Sequence, residues 1–535
     1  MIVPPVQKSG KIMLLKKALR QDTVALAIHA ALCIFAAFLW GKLALVDAPF
    51  VYHPDEPDVV ARSVHMILSG DLNPHWFHYP SLLFYINAAA YRLLDLFIGL
   101  PLEHGLAMGV RGIDPNAFVL YQWGRFITVC FSLGTLFLLL RLTSRLTTPL
   151  LACVAGFTFV GSKLVVENAA SITVDMPVTF FALASLFMMV KFADSKEGGQ
   201  PKERYFWAAM VLGGLAAGVK YNGAAVLFAA PILLWIVKTP FSKSFRLLAL
   251  GALLSICVFF ATTPYALLDM KTFLDPHIGM IYDFRHYSSG HPGADEGITF
   301  FKVTSDLFKQ HSVLVIFALV SPASFKQKNF RNSLALMGFC LILFLGMVSM
   351  ARVYFSRNIL MAIPIADCLV VVGLGAILNW ISSRRGERGR ASSTYLSALA
   401  VLMAGAMALY SAFAILREQE LPDTRTEAYE WLVENVPASS RILYEAYCPQ
   451  LYYSGKLDAG YVWTVSDLSI RQIRKDYDLI VISEMQWARY QDQRFKTYQY
   501  VFDLPLLKEW ISDRGKNRGP TLRVYSTGRS GYANR

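Results

Sequence analysis

Long apolar stretches alternate with short polar ones along most of this chain. Most of them are long enough to cross a bilayer, which takes a helix of about 20 mainly apolar residues. We therefore predict a polytopic α-helical membrane domain over residues 24–415, preceded by a cytoplasmic N-terminus at 1–23. The apolar stretches lie near 24–46, 80–100, 118–140, 149–166, 174–193, 205–237, 246–264, 308–322, 333–350, 360–380 and 393–415.

Basic residues in the short loops predict the topology, because such loops face the cytoplasm. Three apolar stretches separate the N-terminus from the basic loop RLTSR at 141–145, yet a return to the cytoplasm takes an even number of crossings. The stretch 80–100 contains Arg92 and Asp95, so we predict that it lies along the outer surface. The stretch 205–237 is long enough for two short passes that divide around residues 218–223, which include KYNG. About eleven crossings result, with residues 47–117 forming the first external loop.

Composition agrees with a membrane protein and argues against two other classes. Hydrophobic residues make up 55% of the 535 residues and charged residues 17%, whereas soluble domains average about 25% charged. The net charge of +13 does not indicate a nucleic-acid partner, because Lys and Arg cluster in the loops and fit contact with lipid head groups. Six of the seven cysteines lie in apolar segments, which argues against a disulfide scaffold.

Residues 416–535 differ in pattern and predict a soluble α/β domain on the outer side of the membrane. TEAYEWLVENV and DLSIRQIRK have helical patterns, whereas RILYEAY, YDLIVIS and LRVYST are typical of short strands. Thr424 and Glu427 are spaced as a capping box at the start of the first helix. Alternating helices and strands of this kind favour a small α/β domain.

Three carboxylates on the predicted outer face are the candidate catalytic residues. Asp55 and Glu56 lie in VYHPDEPD at 51–58, where the chain leaves the bilayer, and Asp175 begins a later apolar stretch. Charge this close to hydrocarbon is costly and indicates a function. A carboxylate at the membrane surface can act as a general base for an acceptor hydroxyl or amine.

A phosphate leaving group would need cations, and the outer face supplies them. The basic candidates are Lys220, Arg285, Arg352 and Arg357. Side chains that could line the substrate are His53, His78, Tyr79, Tyr221 and Tyr282. Two alternatives stay open: His53 could hold a divalent metal with Asp55 or Glu56, and several of the charges could be solvated loop residues or interface anchors.

The order of several motifs resembles a known superfamily. Asp55-Glu56 follows the first helix, and further motifs come in sequence: HYPSLLFYI at 78–86, Arg125, VDMPVTFF at 174–181 and KYNG at 220–223. This series resembles the GT-C-fold glycosyltransferases that use polyprenyl- or dolichyl-phosphate sugars, which include protein mannosyltransferases and aminoarabinose transferases. This chain departs from the family at one point: the family has two consecutive prolines in the first external loop, where this chain has Pro80 followed by Ser81.

The resemblance implies roles for individual residues. Asp55 would correspond to the family's catalytic acidic residue, with Glu56 as its neighbour, and Asp175 to a second acid that organises the site. Arg125 and Lys220 would lie near the donor phosphate.

We therefore expect a glycosyltransferase of the cell envelope whose active site and C-terminal domain lie at the outer face of a bacterial inner membrane. It would transfer a hexosyl or pentosyl group, with inversion, from a polyprenyl-phosphate donor to a glycan, lipid or protein acceptor. The alternative is a flippase or transporter, which GVKYNG within an apolar stretch would also suit. The gathering of acids and bases at one interface favours the enzyme.

Overall fold

The computed structural model describes residues 6–46, 50–106, 114–195, 202–289, 300–311, 331–384, 386–451, 455–488 and 495–529. Over these residues, a bundle of long helices is followed by a small α/β domain, which confirms the predicted fold class. Most of the apolar stretch predicted at 308–322 lies outside the described residues.

Seventeen α-helices make up the described part of the membrane domain. They are α1 (Val6–Ala44), α2 (Glu56–Ser69), α3 (Leu82–Ile98), α4 (Phe118–Leu146), α5 (Pro149–Gly161), α6 (Lys163–Ala169), α7 (Asp175–Ser195), α8 (Glu203–Val219), α9 (Ala229–Ile236), α10 (Phe241–Thr262), α11 (Tyr265–Leu268), α12 (Met270–Phe273), α13 (Met280–Ser289), α14 (Phe300–His311), α15 (Arg331–Ser349), α16 (Ile363–Arg384) and α17 (Gly386–Gln419).

Within the described residues, 7 helices are long and apolar enough to cross a membrane, or 8 if the bent pair α5 and α6 is one span. The chain is therefore an integral membrane protein. The predicted total of about eleven also counted the stretch at 308–322 and two short passes, which correspond to α8 and to the apolar helix Tyr221–Ile236. The helix α3, with 17 residues, is not among these spans, and its position along the outer surface stays a prediction.

The apolar stretch predicted to divide at KYNG does divide there. Helix α8 ends at Val219, Lys220 is extended (φ −148°, ψ 132°), and a 3₁₀ helix follows at Tyr221–Phe228. The break depends on Gly223, because a Cβ at this position would lie 2.4 Å from the carbonyl oxygen of Ala216. Only a glycine lets the chain fold back so closely against α8, and this leaves Lys220 in the break.

The C-terminal domain is built on a five-stranded sheet with the order β2-β1-β3-β5-β4. Its elements are α18 (Thr424–Asn435), β1 (Arg441–Glu445), β2 (Asp458–Val462), α19 (Ile470–Asp476), β3 (Leu479–Ser483), α20 (Glu484–Trp487), α21 (Phe495–Phe502), β4 (Leu506–Trp510) and β5 (Leu522–Ser526). Strand β1 pairs in parallel with β2 and β3, whereas β5 is antiparallel to β3 and β4. The three predicted strands and both predicted helices are present, and β2 and β4 were not predicted.

The predicted capping box at the start of α18 is wrong. Asp423 is the N-cap residue, and its carboxylate accepts a hydrogen bond from the backbone N–H of Arg425. The Thr424 hydroxyl instead donates to the carbonyl oxygen of Pro520, at 2.8 Å. The contact with the chain before β5 competes for this hydroxyl, which the local sequence pattern does not reveal.

Replacement of Gly223 with alanine should destabilise the membrane domain. The added methyl group would overlap backbone atoms of α8, and overpacking of this kind costs about 1–3 kcal/mol. We expect a lower thermal unfolding midpoint for the purified full-length protein. Gly338→Ala is the matched control, because its Cβ would meet no atom of the described structure within 4 Å and alanine favours a helix. Equal midpoints for both variants would contradict this prediction.

Candidate active site

Four charged side chains from separate parts of the chain meet in an unbroken series of ion pairs. The carboxylate of Asp55 lies 3.0 Å from Nη2 of Arg357, whose Nε lies 3.5 Å from the carboxylate of Asp175. The other oxygen of Asp175 accepts a hydrogen bond of 2.7 Å from Nζ of Lys220. All four were predicted as site residues, and the fold brings them together.

Local backbone structure explains why each side chain points into the site. Asp55 is the N-cap residue of α2 but makes no side-chain capping bond, so its carboxylate is available to Arg357. Asp175 is the first residue of α7, and Lys220 lies in the break after α8. Arg357 belongs to a short 3₁₀ helix at Ser356–Ile359.

The two acids differ in burial. The Asp175 side chain is 4% exposed and contacts two cations, whereas the Asp55 side chain is 22% exposed and contacts Arg357. Burial lowers the pKa of Arg357, but the carboxylates of Asp55 and Asp175 outweigh burial and raise the pKa above its usual value. Burial and the Asp55 carboxylate raise the pKa of Tyr79, so its hydroxyl remains protonated beside the site.

A cavity of about 310 Å³ opens beside Lys220. Tyr221 also lines it, and the Tyr221 hydroxyl donates a 2.8 Å hydrogen bond to the carbonyl oxygen of Phe77. Much of the wall is apolar, with contributions from Ala224, Ala225, Phe228, Phe284, Met347, Val348 and Ala351. The cavity therefore combines one charged end with walls suited to a lipid chain.

Three polar residues of this cavity, Asn222, Asp283 and Asn358, were not among the predicted site residues. Burial raises the pKa of Asp283 to about 6, although nearby Lys220 opposes the shift. Oδ1 of Asn358 is buried and has no hydrogen-bond partner within the described residues. Asp283 could have been found from its spacing, since Tyr287, another wall residue, lies four positions later on α13.

Glu56 and Arg125 form a separate, buried ion pair. Nε and Nη2 of Arg125 donate to the two carboxylate oxygens of Glu56 at 2.9 and 2.7 Å. Glu56 also accepts from the backbone N–H of Ile172, and Nη1 of Arg125 donates to the carbonyl oxygen of Val46. Burial raises the pKa of Glu56, but Arg125 outweighs it and the net shift is downward.

This pair changes our interpretation of both residues. Glu56 is fully buried and holds three donors, so it is badly placed to exchange a proton with a substrate. The Arg125 guanidinium is oriented by Glu56 rather than directed at the 310 Å³ cavity. The geometry therefore favours a structural role for both over the catalytic and phosphate-binding roles predicted from the sequence.

The remaining predicted residues lie around this centre. His78 stacks on Tyr282 with ring centroids 4.2 Å apart, and burial lowers the pKa of His78 to about 4. Arg285 and Arg352 are exposed, and neither is among the residues that line the cavity. His53 lines a smaller cavity of about 130 Å³ together with Glu56 and Arg125.

The residues named for a metal do not fit one. Asp55 is directed at Arg357 and Glu56 at Arg125, so these carboxylates do not converge with His53. Across the described ranges, no group of three His, Cys, Asp or Glu residues is arranged to hold a metal ion.

The fold and part of the sequence are similar to known proteins. Residues 114–272 match the family model described as dolichyl-phosphate-mannose-protein mannosyltransferase. This match covers less than half of the chain. No curated protein sequence gives a significant match. Among solved structures, ArnT from Cupriavidus metallidurans bound to undecaprenyl phosphate superposes with a TM-score of 0.59 at 14% identity, over 94% of this chain and 98% of that one. The archaeal oligosaccharyltransferase AglB from Archaeoglobus fulgidus, in complex with an inhibitory peptide and a dolichol-phosphate, gives 0.52 at 11% identity, over 92% and 74%.

The chain has the GT-C fold. The fold implied by the order of the sequence motifs is thus confirmed over nearly the full length. At these identities the likeness establishes the fold alone, so the roles of individual GT-C residues must be argued from the geometry described above.

Loss of Arg125 should destabilise the protein by leaving the Glu56 carboxylate buried without its cation. Breaking a buried pair in this way costs about 3–5 kcal/mol, so Arg125→Met should lower the thermal unfolding midpoint strongly. The double variant Arg125→Met/Glu56→Gln should recover part of the loss, because no charge is then stranded. If Arg125 instead served only to bind phosphate, Arg125→Met would unfold at the wild-type temperature.

Proposed function

We propose that this protein is a glycosyltransferase that moves one sugar from a polyprenyl-phosphate donor to an acceptor, at the extracytoplasmic face of a bacterial inner membrane. The observation that carries the proposal is the series Asp55–Arg357–Asp175–Lys220, in which Lys220 also lines a largely apolar cavity. The match to the mannosyltransferase family model and the GT-C fold support the same class of reaction.

Asp55 would act as the general base. Its carboxylate is the more exposed of the two acids and can accept a proton from an acceptor hydroxyl or amine. The acceptor atom forms a bond to the anomeric carbon while the bond from that carbon to the phosphate oxygen breaks, and the phosphate keeps the electron pair. Attack opposite the leaving group inverts the anomeric configuration. Asp175 would support the reaction by orienting Lys220 and Arg357.

Lys220 would be the principal contact for the donor phosphate. It is a cation at the cavity wall, and phosphate gains strongly from charge-assisted hydrogen bonds. The apolar wall formed by residues such as Phe228 and Met347 suits the first isoprene units of the carrier. Arg357 is shared between Asp55 and Asp175, so a phosphate approaching it would compete with both carboxylates.

Asp55→Asn should abolish transfer while the protein stays folded, because an amide cannot accept the proton. We expect at least a 100-fold lower rate of free polyprenyl phosphate release, in line with the usual contribution of a general base of about 10²–10⁴. The assay uses purified protein in vesicles containing a polyprenyl-phosphate sugar and a mixture of envelope acceptors. Asp71→Asn, which changes a half-buried carboxylate of the same external loop that pairs with His75 rather than with the site, is the control and should keep the wild-type rate.

Two outcomes of that assay would count against the proposal. Near-wild-type release by Asp55→Asn would remove Asp55 as the base. Movement of intact donor across the bilayer, without release of polyprenyl phosphate by the wild-type protein, would favour the flippase.

Donor binding should tighten as the pH falls through about 6, because the pKa of Asp283 is raised to about 6. Above this pH, Asp283 is ionised in the same cavity and repels the donor phosphate; below it, the carboxyl is neutral. We expect the donor KM to be about threefold to tenfold lower at pH 5.5 than at pH 7.5, as for one partly screened like charge. In Asp283→Asn the donor KM should be low at both values. A wild-type pH dependence that survives in Asp283→Asn would assign the effect to another group.

A further inference from the structure

The C-terminal domain holds the backbone that leads directly into the candidate base. Nε2 of Gln450 donates to the carbonyl oxygen of Val51 at 2.5 Å, and its Oε1 accepts from the N–H of Val51 at 3.4 Å. Gln450 is 5% exposed and Val51 is fully buried. One side-chain amide thus satisfies both backbone groups of a single residue, 399 positions away in the sequence.

Two aromatic residues beside Val51 are held by the same domain. The guanidinium carbon of Arg425 lies 3.5 Å from the centre of the Tyr52 ring, and the Tyr52 hydroxyl is 2.8 Å from Oγ1 of Thr426. Phe50 packs edge-on against Tyr429, with ring centroids 5.1 Å apart. Residues 50–52 are therefore fixed by contacts to α18 as well as to Gln450.

The position of Gln450 is set in turn by the sheet. Gln450 follows β1, whose last residue, Glu445, is fully buried and accepts from the backbone N–H groups of Val465 and Ser483 and from the Tyr498 hydroxyl. These bonds join the end of β1 to β3, to α21 and to the turn after β2. The loop that carries Gln450 consequently starts from a rigid point.

The path from Val51 to the acid is short and stiff. Pro54 restricts the backbone, the N–H of Asp55 donates to Nδ1 of His53 at 3.2 Å, and the N–H of Glu56 donates to the His53 carbonyl oxygen at 3.3 Å. Movement of Val51 would therefore be passed to Asp55. The ion pair with Arg357 fixes only the far end of that side chain.

We propose that Gln450 is a positioning residue through which the C-terminal domain sets the place of the Asp55 carboxylate. The inference rests on the proposed function, in which Asp55 is the base. It gives the C-terminal domain a part in the transfer step itself, although Gln450 does not line the cavity where the donor would bind. Arg425 and Thr426 assist by holding Tyr52.

Gln450→Leu tests the inference, because leucine keeps most of the side-chain volume and removes both hydrogen bonds. A misplacement of about 1 Å can cost about 100-fold in rate, so we expect kcat to fall by about 10-fold to 100-fold with the donor KM within about twofold of wild type. Gln486→Leu is the matched control: Gln486 is a buried glutamine of the same domain, bonded to the Trp463 carbonyl oxygen rather than to residues 50–52. It should keep kcat within about twofold.

Gln450→Glu supplies a signature that general destabilisation would not produce. An ionised carboxylate repels the Val51 carbonyl oxygen, whereas a protonated carboxyl can donate to that oxygen and accept from the N–H, as the amide does. Burial raises the pKa of such a group. The kcat of Gln450→Glu relative to wild type should therefore rise as the pH falls from about 8 to about 5.5, while the ratio for Gln450→Leu stays constant.

Hydrogen–deuterium exchange tests the contact without relying on transfer. In full-length protein in lipid nanodiscs, peptides covering residues 50–58 should exchange faster in Gln450→Leu than in wild type, and at the wild-type rate in Gln486→Leu. Unchanged exchange with unchanged kcat in Gln450→Leu would overturn the inference. If Asp55→Asn keeps its activity, the proposed base is wrong, but the exchange result still decides whether Gln450 holds this segment.

Discussion

The candidate site depends on the buried ion pair of Glu56 and Arg125, which connects the segments that carry the two site acids. Arg125, in α4, reaches the carbonyl oxygen that follows α1, and Glu56, at the start of α2, reaches the N–H of Ile172 just before α7. A buried charge is costly unless it is paired and hydrogen-bonded, so these contacts tie together the end of α1, α2, α4 and the chain before α7. Asp55 precedes Glu56, and Asp175 follows Ile172 by three residues. The pair thus fixes two site acids without touching a substrate.

The two acids in the neighbouring series of ion pairs, Asp55 and Asp175, differ in how tightly they are held. Asp175 is almost fully buried and is held by both Lys220 and Arg357, so moving it would break the Lys220 contact and leave Arg357 paired with Asp55 alone. Asp55 is more exposed and shares Arg357 with Asp175. The arrangement offsets two negative charges with two positive ones, which allows charged groups to collect at a membrane interface at tolerable cost. It also leaves Asp55 as the acid that can change partners.

The sequence could predict which side chains share a face, but not how they pair. Apolar length and loop charge placed Asp55, Asp175, Lys220 and Arg357 on one side of the membrane, and the structure brings them together. The Glu56–Arg125 pair joins residues 69 positions apart, and no periodic pattern reports such a contact. The family resemblance alone therefore placed Arg125 near the donor phosphate, without its partner Glu56.

In the C-terminal domain, too, the sequence predicts elements with a strong local pattern but not those that form through tertiary contacts. Strand β3 is buried at all five positions, and its continuous apolar run predicted it. Strand β2, with the sequence DAGYV, contains aspartate and glycine, which strands disfavour, and it forms because it pairs in register with β1. Tertiary pairing, rather than local preference, decides such elements.

In the proposed mechanism, the contact between Val51 and Gln450 lets the C-terminal domain contribute to transfer without lining the donor cavity. Residues 50–53 form neither a helix nor a strand, so contacts with other elements must hold them in place. The side-chain amide of Gln450, on the loop after β1, supplies one restraint through its hydrogen bonds to the Val51 backbone, and stacking of Arg425 on Tyr52 adds a second one. Because the restraint acts on the backbone, it constrains the acid through chain geometry and leaves the carboxylate itself free for chemistry.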